Sequence, residues 1–120
     1  PALRELRIRT PLITDEGVGH LRELSGLEEL EIESPKLGPG AISLVSGLTR
    51  LTYLDLSVGS VRSEDLAALQ SLKALRILAL RNAPVGDMEL AALRGHPSIE
   101  SLFLERSQPT EKSLPVIASL

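Results

Sequence analysis

The sequence predicts an α/β solenoid of five strand–turn–helix repeats, with a parallel sheet on the concave face and helices on the convex face. Three observations lead there. The 120 residues divide without a gap into five blocks, residues 1–24, 25–48, 49–72, 73–96 and 97–120, and a fixed period of this length marks a repeat architecture. In every block the sixth and eighth residues are apolar, the two-residue spacing of a strand with one buried face. The eighteenth and twenty-first are apolar as well, and so is the twenty-fourth in every block but the fourth, the spacing of a short helix with one inward stripe.

Taken in order, the strands turn Leu6 and Ile8, Leu30 and Ile32, Leu54 and Leu56, Leu78 and Leu80, then Leu102 and Leu104 to the core. The helices follow with Val18 and Leu21, Ile42 and Val45, Leu66 and Leu69, Leu90 and Leu93, then Leu114 and Ile117. The third and thirteenth residues are apolar too, and across these seven columns only His96 and Pro109 break the pattern. No block can bury its own apolar faces, so each must cover the next in a continuous stack. Strands repeat every ~4.8 Å while packed helices need about 8–10 Å, so the stack bends with its strands inside. Block five is expected to be the loosest, because Pro109 and Pro115 interrupt it.

The columns Leu3-Leu6-Ile8 and their equivalents, with Ile99 opening the last, resemble the L-x-x-L-x-L core of leucine-rich repeats. The stretch ITDEGV, residues 13–18, is similar to the ITDxGL segment of a 24-residue subtype common in bacterial proteins and related to repeats of F-box-type substrate receptors. The resemblance covers the whole chain. It departs where many members carry a laddering Asn: here stand Pro11, Pro35, Gly59, Ala83 and Ser107. The turn's backbone groups must therefore find other partners.

The same stretch places Asp15, Glu16 and His20 within six positions, which raises the question of a metal or acid/base site. Ser63-Glu64-Asp65, Gly86-Asp87 and Thr110-Glu111 recur at the same place in later blocks, and Gly38-Pro39 fills it in block two. An acid recurring at a helix start reads as capping and dipole complementation, with Pro suited to the first turn. His20 shares a column with Leu44, Ala68, Ala92 and Val116 and is expected to pack partly against the helices. His96, between Gly95 and Pro97, reads as a hydrogen-bonded corner imidazole, since no second His lies at ligand spacing.

Composition narrows the function classes. A net charge of −3 opposes a phosphate-tracking nucleic-acid binder. With no cysteine there is no thiolate nucleophile, cysteine zinc site or disulfide, and a cytoplasmic setting fits. No basic-then-apolar leader and no 18-residue apolar run is present, so no membrane span is expected. There is no phosphate-binding Gly-rich loop and no G-x-S-x-G. The sequence thus points to no enzyme, no metal and no cofactor.

Function is expected on the concave sheet, where the fifth, seventh and ninth residues of each block face outward. The chain's only Tyr and Phe, Tyr53 and Phe103, both lie there, with Ile77 between them and Asp55 and Arg81 alongside. Interfaces favour such residues, so these five form a candidate anchor patch for a protein or peptide. Glu29, Glu31 and Glu33 share one outward face and would attract a basic segment. The resemblance likewise implies a non-catalytic interaction module. The alternatives are a structural or self-associating solenoid segment, or the substrate-recognition part of a larger enzyme such as a ubiquitin-ligase receptor. The sequence starts and stops at block boundaries with no polar cap, which makes it read as a fragment of a longer chain and predicts self-association through its uncapped ends.

Overall fold

The computed structural model describes residues 2–120. Five strands, β1 (Glu5–Arg9), β2 (Glu29–Glu33), β3 (Tyr53–Ser57), β4 (Ile77–Arg81) and β5 (Ser101–Leu104), form one parallel sheet in chain order. Every strand pairs with the next in the register of the repeat: Leu6 faces Leu30, Leu30 faces Leu54, Leu54 faces Leu78 and Leu78 faces Leu102. Just before each strand one carbonyl takes two N–H groups from the following block. Arg4 O accepts from Glu28 and Glu29, Glu28 O from Thr52 and Tyr53, Thr52 O from Arg76 and Ile77, and Arg76 O from Glu100 and Ser101.

The opposite layer holds α1 (Asp15–Gly19), α2 (Gly40–Val45), α3 (Ser63–Ala68), α4 (Asp87–Leu90) and α5 (Leu114–Ala118). These are one to two turns long, and α1, α3 and α4 run on into 3-10 turns. Helices this short have no stability of their own and exist because their apolar stripe is covered. The core between the layers is a run of aliphatic columns, with Leu27, Leu51 and Leu75, Leu30, Leu54 and Leu78, and Ile32, Leu56 and Leu80 fully enclosed. The arrangement is a leucine-rich-repeat solenoid, 41 × 27 × 19 Å in extent.

Without an Asn ladder, each turn after a strand is tied differently. Ser34 Oγ donates to Ile13 O (2.7 Å), Gly59 N–H to Leu37 O (3.3 Å), Asn82 Nδ2 to Ser57 Oγ (2.9 Å) and Ser107 Oγ to Ala83 O (3.3 Å). Asn82 and Arg106, equivalent residues of blocks four and five, adopt the left-handed conformation at φ 62° and 66°.

Three expectations need correction. The acids at the helix starts do not cap their own helices. Asp15 Oδ1 accepts from the Gly38 N–H of block two (2.8 Å), and Asp87 Oδ1 accepts from the Thr110 N–H of block five (2.8 Å) while its carboxylate also binds the Ser113 hydroxyl. Asp65, enclosed between blocks, accepts from Ser43 Oγ (2.8 Å), Arg62 Nε (2.8 Å) and Arg62 Nη2 (3.0 Å). Blocks must be pinned to each other on the helix side, where no sheet ladder does so, and a carboxylate reaching across is the means. Only Thr110 caps locally, accepting from the Lys112 N–H, while Glu89 Oε1 reaches back to the Gly86 N–H (3.4 Å).

His20, second, is exposed instead of packed against the helices; it begins the 3-10 turn after α1, which points its side chain outward. Third, α5 is rotated. Leu114 and Ile117, expected in the core stripe, are 60% and 41% exposed, while Val116 is buried in a column that is exposed or half-buried in the other blocks. α5, with Pro115 in its first turn, begins at the eighteenth residue of its block instead of the fifteenth or sixteenth, after a 3-10 turn whose Ser113 hydroxyl donates to Asp87.

Candidate functional site

The outward side chains of β3, β4 and β5 enclose a concave hollow of about 720 Å³, walled by Tyr53, Ile77, Phe103, Arg81 and Glu105 with Ala79 beneath. Register explains its shape: Asp55 pairs with Ala79 and Ala79 with Phe103, so the smallest residue of that column sits between two larger ones. The sequence places Ala79 and Glu105 at outward positions of this face but not in the anchor patch. The only signal for Ala79 is its small size in an outward column that otherwise holds Arg7, Glu31, Asp55 and Phe103.

Tyr53, Ile77, Arg81 and Phe103 come together on the wall of this hollow. Phe103 is 60% exposed and Tyr53, Ile77 and Arg81 are half-buried. Asp55 differs: its position is on the concave face, yet the residue is only 1% exposed. Its Oδ2 accepts from Arg81 Nη2 (2.6 Å) and from Tyr53 Oη (3.1 Å). A carboxylate on a packed sheet surface must be matched, and the longer side chains on either side fold over it to do so. Asp55 therefore holds Tyr53 and Arg81 in place and does not itself meet solvent. Partial burial, with the Asp55 charge and hydrogen bond, raises the Tyr53 phenol above its ordinary range; Asp55 also raises the Arg81 guanidinium, so both keep their protons.

The acidic stripe is likewise not a free field. Glu31 lies 3.7 Å from Arg7 and 3.6 Å from Arg81, and Glu33 lies 2.8 Å from Arg9. Glu29 faces Glu5 directly across the β1–β2 pair. The Glu5 carboxyl beside it, with partial desolvation, raises the Glu29 carboxyl above its usual range. Cation attraction on this face is thus concentrated at Glu5 and Glu29, because arginines accompany the other two glutamates.

Among the described residues no group of three or more His, Asp or Glu is placed to hold a metal ion, and no helix is long and apolar enough to cross a membrane.

Neither a protein-family profile nor a curated protein sequence matches the chain. Among solved structures, the crystal structure of an internalin (InlF) from Listeria monocytogenes superposes with a TM-score of 0.54 at 19% identity, covering 85% of this chain and 35% of the internalin. The chain thus spans about a third of the length of that protein, and the likeness is one of fold.

Proposed function

We propose that the chain is a non-catalytic module that binds a protein or peptide on its concave sheet. The observation that carries this reading is the hollow itself. It is the place on the sheet where the chain's two aromatics converge, over an alanine floor, with their polar neighbours already paired. An apolar side chain entering it would displace water from Phe103, Ile77 and Tyr53 without stripping any charge of its partner. Such a pre-ordered, aromatic-lined centre is what interface anchors require.

The ligand would extend from the hollow toward β1 and β2 and carry a basic group near Glu5 and Glu29, where cations on the chain itself are sparse. The repeats fit the 24-residue bacterial subtype, supported by the gapless register and by ITDEGV. A cytoplasmic setting, in keeping with a chain free of cysteine, completes the reading.

The test is selection of ligands from a displayed peptide library, followed by binding measurements on variants. Phe103→Ala is expected to weaken the selected peptides by about 1 kcal/mol or more with an unchanged melting temperature, because Phe103 is already mostly exposed. Met88→Ala, on the convex helix α4, is expected to leave binding unchanged. Loss of binding with Met88→Ala but not with Phe103→Ala would place the ligand on the other face and sink the proposal.

A further inference from the structure

Resting on the concave-face reading above, we propose that the hollow receives one aromatic side chain of the partner. Phe103 flanks that ring on one side, and Tyr53 with the guanidinium of Arg81 flanks it on the other. Both walls belong to the sheet itself, so the preference holds whatever adjoins the first and last blocks.

Spacing supplies the first argument. Tyr53 and Asp55 stand on β3 and Phe103 on β5, with β4 between them. Neighbouring strands lie about 4.8 Å apart, so the two walls rise from strands about 10 Å apart. The floor between them is Ala79, in register with Asp55 on one side and Phe103 on the other. A ring seated over Ala79 lies about 5 Å from each wall, inside the roughly 4.5–7 Å of paired rings and the ~6 Å reach of a cation over a ring face.

The pinned guanidinium gives the second. Arg81 stands on β4 but leans back over β3, its Nη2 bonded to Asp55 Oδ2 (2.6 Å) and 3.6 Å from Glu31. Tyr53 Oη donates to the same carboxylate (3.1 Å). Asp55 is thus a positioning residue: it fixes one ring and one cation before a ligand arrives, so little side-chain freedom is lost there on binding. An entering ring can pair with Tyr53 and Phe103 and turn its electron-rich face toward the cation. A saturated side chain of the same bulk would cover the guanidinium and give its charge nothing in return.

Charge and size exclude the other occupants. A cationic tip would meet Arg81, and a carboxylate would meet Asp55 and Glu105, which also line the hollow. The outward column of Ala79 carries Arg7, Glu31, Asp55 and Phe103 in the other blocks, and a side chain of that length on β4 would fill the space.

Peptides selected from a displayed random library on the parent chain should carry an aromatic residue at one fixed position. Synthetic copies with phenylalanine there should bind about tenfold more tightly than copies with cyclohexylalanine, which has the same bulk and no π face. Fluorescence anisotropy reads both. In the double variant Asp55→Asn with Arg81→Gln, which leaves no buried charge unmatched, the gap between the two peptides should shrink to about threefold; a merely structural role would weaken both equally. Ala79→Leu, which points out of the sheet, should abolish binding with an unchanged melting temperature. Equal affinity for the two peptides overturns the aromatic anchor. So does a selected anchor that is aliphatic or charged, a gap untouched by the double variant, or binding that survives Ala79→Leu. In those cases the concave interface still stands if Phe103→Ala weakens the peptides. Loss of binding with Met88→Ala and not with Phe103→Ala sinks both.

Discussion

Replacing His96 with Leu restores the apolar column of Leu24, Leu48, Leu72 and Leu120, yet the structure predicts a loss of stability. At the earlier corners the N–H of Leu27, Leu51 and Leu75 bonds back to the carbonyl of Leu24, Leu48 and Leu72. At the last corner Gly95 takes φ +68° and Pro97 follows, and the Ile99 N–H turns to the imidazole instead. His96 is buried; Nε2 lies 2.9 Å from Leu69 O, and Nδ1 lies 3.2 Å from Ser98 N and 3.3 Å from Ile99 N. A carbonyl only accepts, so Nε2 carries the proton and Nδ1 accepts twice. His96→Leu strips the Ser98 and Ile99 N–H groups of their acceptor, at about 1–3 kcal/mol for each one left buried and unmet, while Leu69 O keeps its bond from the Leu72 N–H. Extra apolar burial offsets part of this, leaving a net loss of about 2 kcal/mol, or about 8 °C in melting temperature for a chain of this size. Burial holds the imidazole pKa below its ordinary value, with the Lys73 charge acting in the same direction and the Leu69 carbonyl opposing. Protonation would also put a hydrogen on Nδ1, against two N–H groups. The unfolded chain therefore takes up the proton first. The stability contributed by neutral His96 is complete above about pH 6.5 and drains away as pH falls from there toward the depressed folded value. Urea unfolding followed by circular dichroism at pH 7 and pH 5 should show the penalty of His96→Leu shrinking at the lower pH. A variant as stable as the parent at pH 7, or a penalty independent of pH, would refute the reasoning.

Two further outcomes concern the ties between blocks. Asp65→Ala removes the carboxylate that joins Ser43 of block two to Arg62 of block three and should cost about 1.5–3 kcal/mol, the range for hydrogen bonds to a charged group, read from the urea midpoint. Burial works to raise the Asp65 carboxyl, but its bonds from Arg62 and Ser43 prevail and lower it. The parent should therefore keep this contribution above about pH 4 and lose it in more acid solution, with the gap to the variant narrowing there. Arg106 holds a left-handed backbone with an ordinary side chain, whereas Asn82 serves the same position in block four; Arg106→Asn should raise stability by about 0.5–1 kcal/mol, and an unchanged or lowered melting temperature would count against a strained turn.

The architecture was legible in the sequence because it rests on periodicity alone. Side chains two apart on a strand and three apart on a short helix must share a face, and a repeat without gaps forces neighbouring blocks into one register. The placing of Tyr53, Ile77, Arg81 and Phe103 on one surface follows from that alternation. What the sequence did not contain is what side chains do with neighbours one repeat away. Asp15, Asp65 and Asp87 read as caps because a local rule explains an acid at a helix start, but the nearest unmet donors belong to the next or previous block. Asp55 reads as solvent-facing because alternation says so, but Arg81 and Tyr53 are long enough to close over it. Leu114 follows the column pattern and still points outward, since the last helix begins only at the eighteenth residue of its block, after a 3-10 turn. Position along the chain determines which face a residue occupies; only the packed neighbours, with their reach and their charge, decide whether it is free to act there.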